Sequence, residues 1–92
     1  MTVYVDPLML WGWEIRGRIT ESCHMFCDGD LEELHEMAAR IGMKRKWFQD
    51  HARAPHYDLI PSRRARAVET GAVEVDFRKA HEIWSQRADD GR

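Results

Sequence analysis

The chain has 92 residues, a hydrophobic content of 43% and a formal net charge of -2 at pH 7. This length fits one domain with a modest core, and the composition excludes an intrinsically disordered chain. The small net charge argues against a general DNA-binding protein. Basic residues nevertheless cluster between Arg40 and Arg66, where Asp50 and Asp58 are the only acidic residues. A local positive surface facing a small anion therefore fits better than an extended nucleic-acid interface.

Hydrophobic periodicity and turn residues divide the chain into strands and helices. In chain order they are a strand over 2–6, a strand over 19–28, a helix over 31–41, a weak strand over 43–49, a helix over 62–70, a strand over 72–75 and a helix that begins at 77. We therefore expect an α/β fold over 1–92, a small layered single domain with a short central sheet of about four strands, three helices and a frayed tail over 88–92.

Several residues within or between these elements carry chemistry. Asp6 follows the first strand, at the sheet edge where α/β proteins often bind ligands. Residues 7–18 contain Trp11 and Trp13, and we interpret them as a packed loop whose Trp side chains cover the core, line a pocket or contact a partner. His24 shares a face of the second strand with Phe26, which is typical of a core histidine but also suits a ligand or general base.

Two cysteines, Cys23 and Cys27, lie on one face of the second predicted strand. At about 3.3 Å per residue they are about 13 Å apart, which is too far for a disulfide bond. We therefore expect two buried thiols in a reducing cytoplasm. The sequence has neither a signal peptide nor a run long enough to span a membrane.

The start of the helix over 62–70 has an unusual distribution of charge. Ser62 is a suitable N-cap, and Arg63, Arg64 and Arg66 occupy the first helical turn. Positive side chains oppose the helix dipole at this end, so their presence favours an anionic ligand there. In the alternative interpretation these arginines are solvated or pair with acids elsewhere in the fold.

Short motifs occur along nearly the whole chain. They are Val-Tyr-Val-Asp at 3–6, Ser-Cys-His at 22–24, Glu-Leu-His at 33–35, Ala-Ala-Arg-Ile-Gly at 38–42, Lys-Trp-Phe-Gln at 46–49, His-Tyr-Asp-Leu at 56–59 and Arg-Ala-Arg-Ala at 64–67 leading to Gly71-Ala72. Together they resemble a small bacterial and phage family, domain-of-unknown-function family four-zero-three-one. The resemblance implies a compact single domain and a phage setting, but it transfers no catalytic residues.

The first functional hypothesis is a protein that binds a nucleotide or a similar phosphate-bearing small molecule. The expected ligand-binding residues are Asp6, Trp11, Gln49, Tyr57, Ser62, Arg63, Arg64 and Arg66. The arginines would clamp phosphate, Trp11 or Tyr57 would stack on a base, and Gln49 would recognise the edge of the base. In the phage setting that the resemblance implies, such a protein would sequester a host signalling nucleotide.

The second hypothesis is a phosphodiesterase or nuclease. His24 and His56 would act as base and acid across a phosphodiester, with Asp58 as a third catalytic residue. A metal-dependent form would use His56 and Asp58, which share a face of an extended segment, together with Asp6 or His24 as ligands of a divalent metal.

The third hypothesis is a protein-interaction module or inhibitor that uses residues 8–13 as its contact surface. A homodimer also fits the modest core of so short a chain. The signatures of the common nucleotide-binding, serine hydrolase and zinc protease families are absent from the sequence. The sequence therefore leaves open whether the protein is an enzyme.

Overall fold

The computed structural model describes residues 2–90, with side chains described up to residue 87. Within this part of the chain there are five strands, three α-helices and a short 3₁₀ helix, joined by loops. The elements are β1 (Val3–Val5), β2 (Met9–Ile15), β3 (Arg18–Cys27), α1 (Leu31–Arg40), the 3₁₀ helix (Arg45–Trp47), β4 (Tyr57–Leu59), α2 (Pro61–Thr70), β5 (Val73–Glu74) and α3 (Phe77–Asp90). This confirms the predicted α/β fold with three helices, and the sheet has five strands rather than about four. Of the tail predicted to fray, residues 91 and 92 lie outside the described residues.

β3 is the strand around which the sheet is built. It pairs antiparallel with β1, β2 and β4, and β5 adds to the far side of β1 in parallel. In the β3–β4 pairing His24 lies opposite Asp58, and in the β1–β3 pairing Val5 lies opposite Met25. The mixed sheet therefore brings the C-terminal end of β1 and the short β4 next to the same few residues of β3.

Helices pack on both faces of the sheet. Successive side chains of β3 point to opposite sides, and each side contributes buried side chains to a separate core cluster. Cys23 and Met25 belong to the larger core cluster, which also contains Leu34 of α1 and Ala67 of α2. Phe26 belongs to a smaller cluster with Ala80 of α3. Both cysteines are buried and free, which confirms the prediction of two buried thiols without a disulfide bond. No helix in the described part of the chain is long and apolar enough to cross a membrane.

The prediction of a packed loop over residues 7–18 is wrong, because β2 forms a hairpin with β3. Met9 lies opposite Ser22, and the register shifts further along the strand pair. Gly12 adopts a φ of 86°, a backbone conformation that only glycine reaches without strain, and this accommodates the shift inside a paired strand. The side chains of Trp11 and Trp13 are 53% and 36% exposed, so they do not cover the core.

Two local predictions after α1 are also wrong. The weak strand predicted over 43–49 is a 3₁₀ helix at Arg45–Trp47, and only Gln49 forms an isolated bridge, with His56. The backbone N–H groups of this segment bond locally instead, from Trp47 to Lys44 at 2.9 Å and from Phe48 to Arg45 at 3.0 Å. Ser62 is not the N-cap of α2, because Ile60 occupies that position and Pro61 is the first helical residue. Proline needs no capping partner there, since it has no N–H group.

Candidate metal centre

Two histidines and a carboxylate converge on one face of the sheet. Asp58 of β4 lies directly opposite His24 of β3, and the ring of His56 lies 4.9 Å from the ring of His24, measured between centroids. One ligand atom from each of these three residues lies within 4.8 Å of the other two. This spacing allows a single cation to contact all three side chains. We call these three residues the metal cluster.

Asp6 determines the orientation and tautomer of His24. Its Oδ1 atom accepts the backbone N–H of His24 at 2.7 Å, and its Oδ2 atom lies 2.7 Å from the His24 Nδ1 atom. An ionised carboxylate is only an acceptor, so the proton of a neutral His24 ring resides on Nδ1. The Nε2 atom therefore carries a free lone pair, which is the form in which histidine binds metals.

His56 is held in the same tautomer by a backbone carbonyl. Its Nδ1 atom donates to the carbonyl oxygen of Ala54 at 2.6 Å, and its Nε2 atom lies 3.3 Å from Oδ1 of Asp58. Two hydrogen bonds between the backbones of Gln49 and His56, of 2.8 and 3.2 Å, fix the main chain at this position. Both rings of the metal cluster thus have their Nδ1 atoms occupied and their Nε2 atoms available as ligands.

His56 and Asp58 stabilise each other's charged forms. The hydrogen bond from His56 lowers the pKa of Asp58, burial opposes this effect, and the charges of His56 and His24 add to the lowering. Burial alone would lower the pKa of His56. The hydrogen bonds to Asp58 and Ala54, with the charges of Asp58 and Asp6, outweigh it, so the pKa of His56 is raised. In the metal-free protein a proton on His56 therefore competes with a cation for this site.

The donor set fits a divalent transition metal. Two imidazole nitrogens and one carboxylate oxygen are ligands that zinc, iron, manganese and cobalt share in proteins. Three protein ligands leave coordination positions for water or substrate, which distinguishes catalytic sites from closed structural ones. Partners that orient the far nitrogen of each imidazole, here Asp6 and Ala54, are a regular feature of histidine metal ligands.

Aromatic side chains surround His24. Measured between ring centroids, Trp11 lies 5.4 Å from His24, and Trp84 of α3 lies 5.6 Å from His24. Phe77, also of α3, meets Trp11 edge-on at 6.1 Å. Apolar walls of this kind limit solvent access to a site and strengthen its electrostatic interactions. Sequence periodicity predicts a helix that begins at 77 but carries no signal that Phe77 and Trp84 border the site.

A groove with a volume of about 540 Å³ lies next to the metal cluster, with Asp58 in its wall. It also contains three aliphatic side chains and two tryptophans from different elements, Trp13 of β2 and Trp47 of the 3₁₀ helix. Its remaining polar side chains are Lys46, Gln49 and Arg63. We call this depression the indole groove. Lining a pocket was one of the roles considered for Trp13, whereas Trp47 and Lys46 were absent from the predicted site residues, because only the tertiary fold brings them beside Asp58.

The predicted arginine clamp has partners within the fold. Arg63 donates to the carbonyl oxygens of Ile41 and Gly42 at 3.2 and 2.6 Å, while its side chain still lines the indole groove. Arg64 donates to the backbone carbonyl of Asp6 at 3.0 Å and to the carboxylate of Glu74 at 2.9 Å. Arg64 therefore helps to hold the chain at Asp6.

The other predicted ligand-binding residues separate in space. Ser62 and Arg66 are exposed on α2 and do not line the indole groove. Tyr57 is fully buried in the larger core cluster, and its hydroxyl group lies 2.7 Å from Nδ1 of His35. Tyr57 is therefore not available to stack on a ligand, because alternation along β4 directs its side chain to the face opposite Asp58.

The sequence profile of a family described as "Protein of unknown function (DUF4031)" matches residues 3–87. The chain belongs to this family. The match spans Asp6, the metal cluster and the indole groove, so the whole candidate site of this DUF4031 protein lies within the family domain. It also confirms the predicted resemblance to this family of unknown function. No curated protein and no solved structure matches the chain.

Proposed function

We propose that this DUF4031 protein is a divalent-metal-dependent hydrolase that acts on a phosphate ester. The observation that carries the proposal is the convergence of His24, His56 and Asp58, whose ligand atoms lie within 4.8 Å of one another. The hydrogen bonds at the Nδ1 atoms of both histidines support it further, because they occupy the Nδ1 atoms and leave the Nε2 atoms as the ligating nitrogens.

In this proposal each residue of the site has a separate role. His24, His56 and Asp58 hold the ion, and Asp6 keeps the proton of His24 on Nδ1. Trp11 and Trp84 place aromatic rings beside His24, with ring centroids 5.4 and 5.6 Å from that of His24. A bound divalent ion would lower the pKa of a coordinated water and polarise a phosphoryl oxygen.

Charge near the site favours an anionic substrate. Lys46 and Arg63 line the adjacent groove, and within residues 2–87 neither lies within ion-pair distance of a carboxylate. A phosphate ester supplies the negative charge that these two side chains lack, and its phosphorus is a suitable target for a metal-activated water.

The proposal can be tested by measuring metal binding and hydrolysis on the same preparations. Protein treated with chelator and dialysed is titrated with Zn²⁺, Mn²⁺ or Co²⁺ in a calorimeter. Release of nitrophenolate from bis(4-nitrophenyl) phosphate is then followed with and without each ion. We expect about one ion per chain and metal-dependent turnover. His56→Gln and Asp58→Asn should each reduce metal affinity by about tenfold or more.

His81→Gln is the matched control, because His81 is exposed on α3 and takes no part in the metal cluster. This variant should bind the ion and hydrolyse the ester as the wild type does. Wild-type protein that binds none of the ions would overturn the proposal. Turnover that survives chelation but requires His24 and His56 would replace it with acid–base catalysis by the two imidazoles.

A further inference from the structure

The indole groove extends the proposed function to a substrate class. We propose that this groove binds the nucleoside part of a nucleotide, so that the phosphate ester presented to the metal cluster is that of a nucleotide. This inference rests on the proposed hydrolase for its catalytic consequence, but binding in the groove is a separate property. It can be measured without a metal.

Two indole rings make the groove suitable for a planar ligand. Trp13 is 36% exposed and Trp47 is 41% exposed, although both belong to ordered elements. Large exposed aromatic rings cost solvation free energy unless a ligand or partner covers them, and indole is the best side chain for stacking on a nucleobase. The Lys44 Nζ atom lies 5.6 Å from the centroid of the Trp47 ring and adds positive charge at the same place.

The size of the groove fits this ligand class. Its volume of about 540 Å³ falls within the range of about 300–1,000 Å³ that is usual for small-molecule sites. Aliphatic side chains from three further positions, Ile15, Met43 and Ile60, complete the apolar part of the lining. The groove therefore offers an apolar floor and aromatic faces rather than a purely polar surface.

Charges in the groove complement a phosphorylated ligand. Neighbouring arginines are neutralised within the fold, since Arg45 pairs with Glu32 and Arg64 with Glu74, both at 2.9 Å. Lys46 and Arg63 lack such a carboxylate among the described side chains. A nucleotide phosphate would supply the missing negative charge, whereas an uncharged aromatic ligand would not.

Two residues connect the groove to the metal cluster. Asp58 lines the groove and also belongs to the cluster. Gln49 also lines the groove, and its backbone forms hydrogen bonds with that of His56. The Gln49 amide can both donate to and accept from the edge of a base. A nucleoside in the groove would thus have its phosphate next to the cluster.

The test is equilibrium binding of AMP, GMP, CMP and UMP in excess chelator, measured by calorimetry. The wild type should bind at least one of them, and His81→Gln, at an exposed position of α3 outside the groove, should bind it equally well. Trp47→Ala and Trp13→Ala should each weaken binding by about tenfold. Trp47→Phe, which keeps an aromatic ring, should reduce nucleotide affinity less than Trp47→Ala does. Leu10→Ala on the same strand as Trp13 is the control, because Leu10 is exposed but does not line the groove.

The outcomes separate this inference from the proposed hydrolase. Wild-type protein that binds none of the four nucleotides would overturn the inference even if it hydrolyses bis(4-nitrophenyl) phosphate. Nucleotide binding that is unaffected by both Trp→Ala substitutions would overturn it as well. Binding that depends on Trp13 and Trp47 without any hydrolysis would support the groove and overturn the hydrolase, leaving a protein that sequesters nucleotides.

Discussion

Asp6 receives two hydrogen bonds from a single residue, His24, one from its backbone N–H and one at the imidazole Nδ1 atom, each 2.7 Å long. The carboxylate of Asp6 is 1% exposed, and the ring of His24 is 24% exposed. One buried acid thereby fixes the main chain, the ring orientation and the tautomer of the histidine together. Asp6 is a positioning residue for the metal cluster, because its hydrogen bonds to the cluster are both made to His24.

Replacing Asp6 with Asn should impair metal binding while preserving the fold. An Asn side chain has nearly the same shape, but its amide group can donate to Nδ1 and so move the proton of His24 to Nε2. We expect affinity for Zn²⁺ to fall by about 10–100-fold, with secondary structure unchanged by circular dichroism. Calorimetric titration of the chelator-treated protein measures this change.

The matched control for this substitution is Asp28→Asn. Asp28 also accepts a backbone N–H, from Thr2 at 2.9 Å, and a side-chain donor, Tyr4, at 3.0 Å, but it follows the far end of β3. Its replacement should leave metal affinity unchanged. Equal losses of affinity in both variants would show that the effect is general destabilisation rather than the orientation of His24.

The His56–Asp58 pair should make the stability of the metal-free protein depend on pH. The fold lowers the pKa of Asp58, so its contribution is complete above the unfolded pKa of about 4 and is lost as pH falls through the folded pKa. The fold raises the pKa of His56, so its contribution is complete below the unfolded pKa of about 6.5 and is lost as pH rises through the folded pKa. The pair therefore stabilises the protein most between about pH 4 and 6.5.

Urea unfolding in chelator can measure this window. The difference in free energy of unfolding between wild type and His56→Gln should be larger at pH 5.5 than at pH 8.5. His81→Gln should show a small difference that does not change with pH, because His81 is exposed. A His56→Gln difference that is the same at both pH values would mean that the pair contributes no pH-linked stability.

Both cysteines should resist modification in the folded protein. Burial raises the pKa of Cys23 to about 12, and the negative charge of Asp6 adds to this effect. Burial also raises the pKa of Cys27. Each residue is 1% exposed, and the thiolate is the reactive form. We expect Ellman's reagent at pH 8 to react with neither thiol in native buffer and with both in concentrated urea. Rapid native reaction at Cys23 would contradict its burial beside Asp6.

Arg63 and Arg64 should respond differently to substitution, although they are adjacent on α2. Arg64→Gln should lower the free energy of unfolding by about 1–3 kcal/mol, because it removes charged hydrogen bonds to Asp6 and Glu74. It should not weaken nucleotide binding in chelator, measured with a nucleotide that the wild type binds, since Arg64 does not line the indole groove. Arg63→Gln should weaken that binding. Urea unfolding and calorimetry on both variants test the contrast, and an anion clamp at the helix start would instead require both arginines for binding.

Local sequence patterns determined much of the fold. The alternation of Val3 and Val5 with Tyr4 predicted β1, and the apolar stripe beginning at Leu31 predicted α1, because each pattern reports which side of a single element is buried. Spacing along a strand likewise predicted two separate thiols. β2 was not predicted, because a glycine such as Gly12 usually interrupts a regular element. In the hairpin the positive φ of Gly12 instead accommodates a shift in strand register.

Only the tertiary structure decided which polar residues meet. His24 and Asp58 are distant in sequence, and the β3–β4 register places them opposite each other, while a shift by one residue would have sent Asp58 into the core in place of Tyr57. The same packing gave Arg64 the carbonyl of Asp6 as a partner. The sequence by itself determined most of the elements and the chemical types available on them. Long-range pairing decided the site, because contacts between distant segments depend on the whole sheet and leave no local period in the chain.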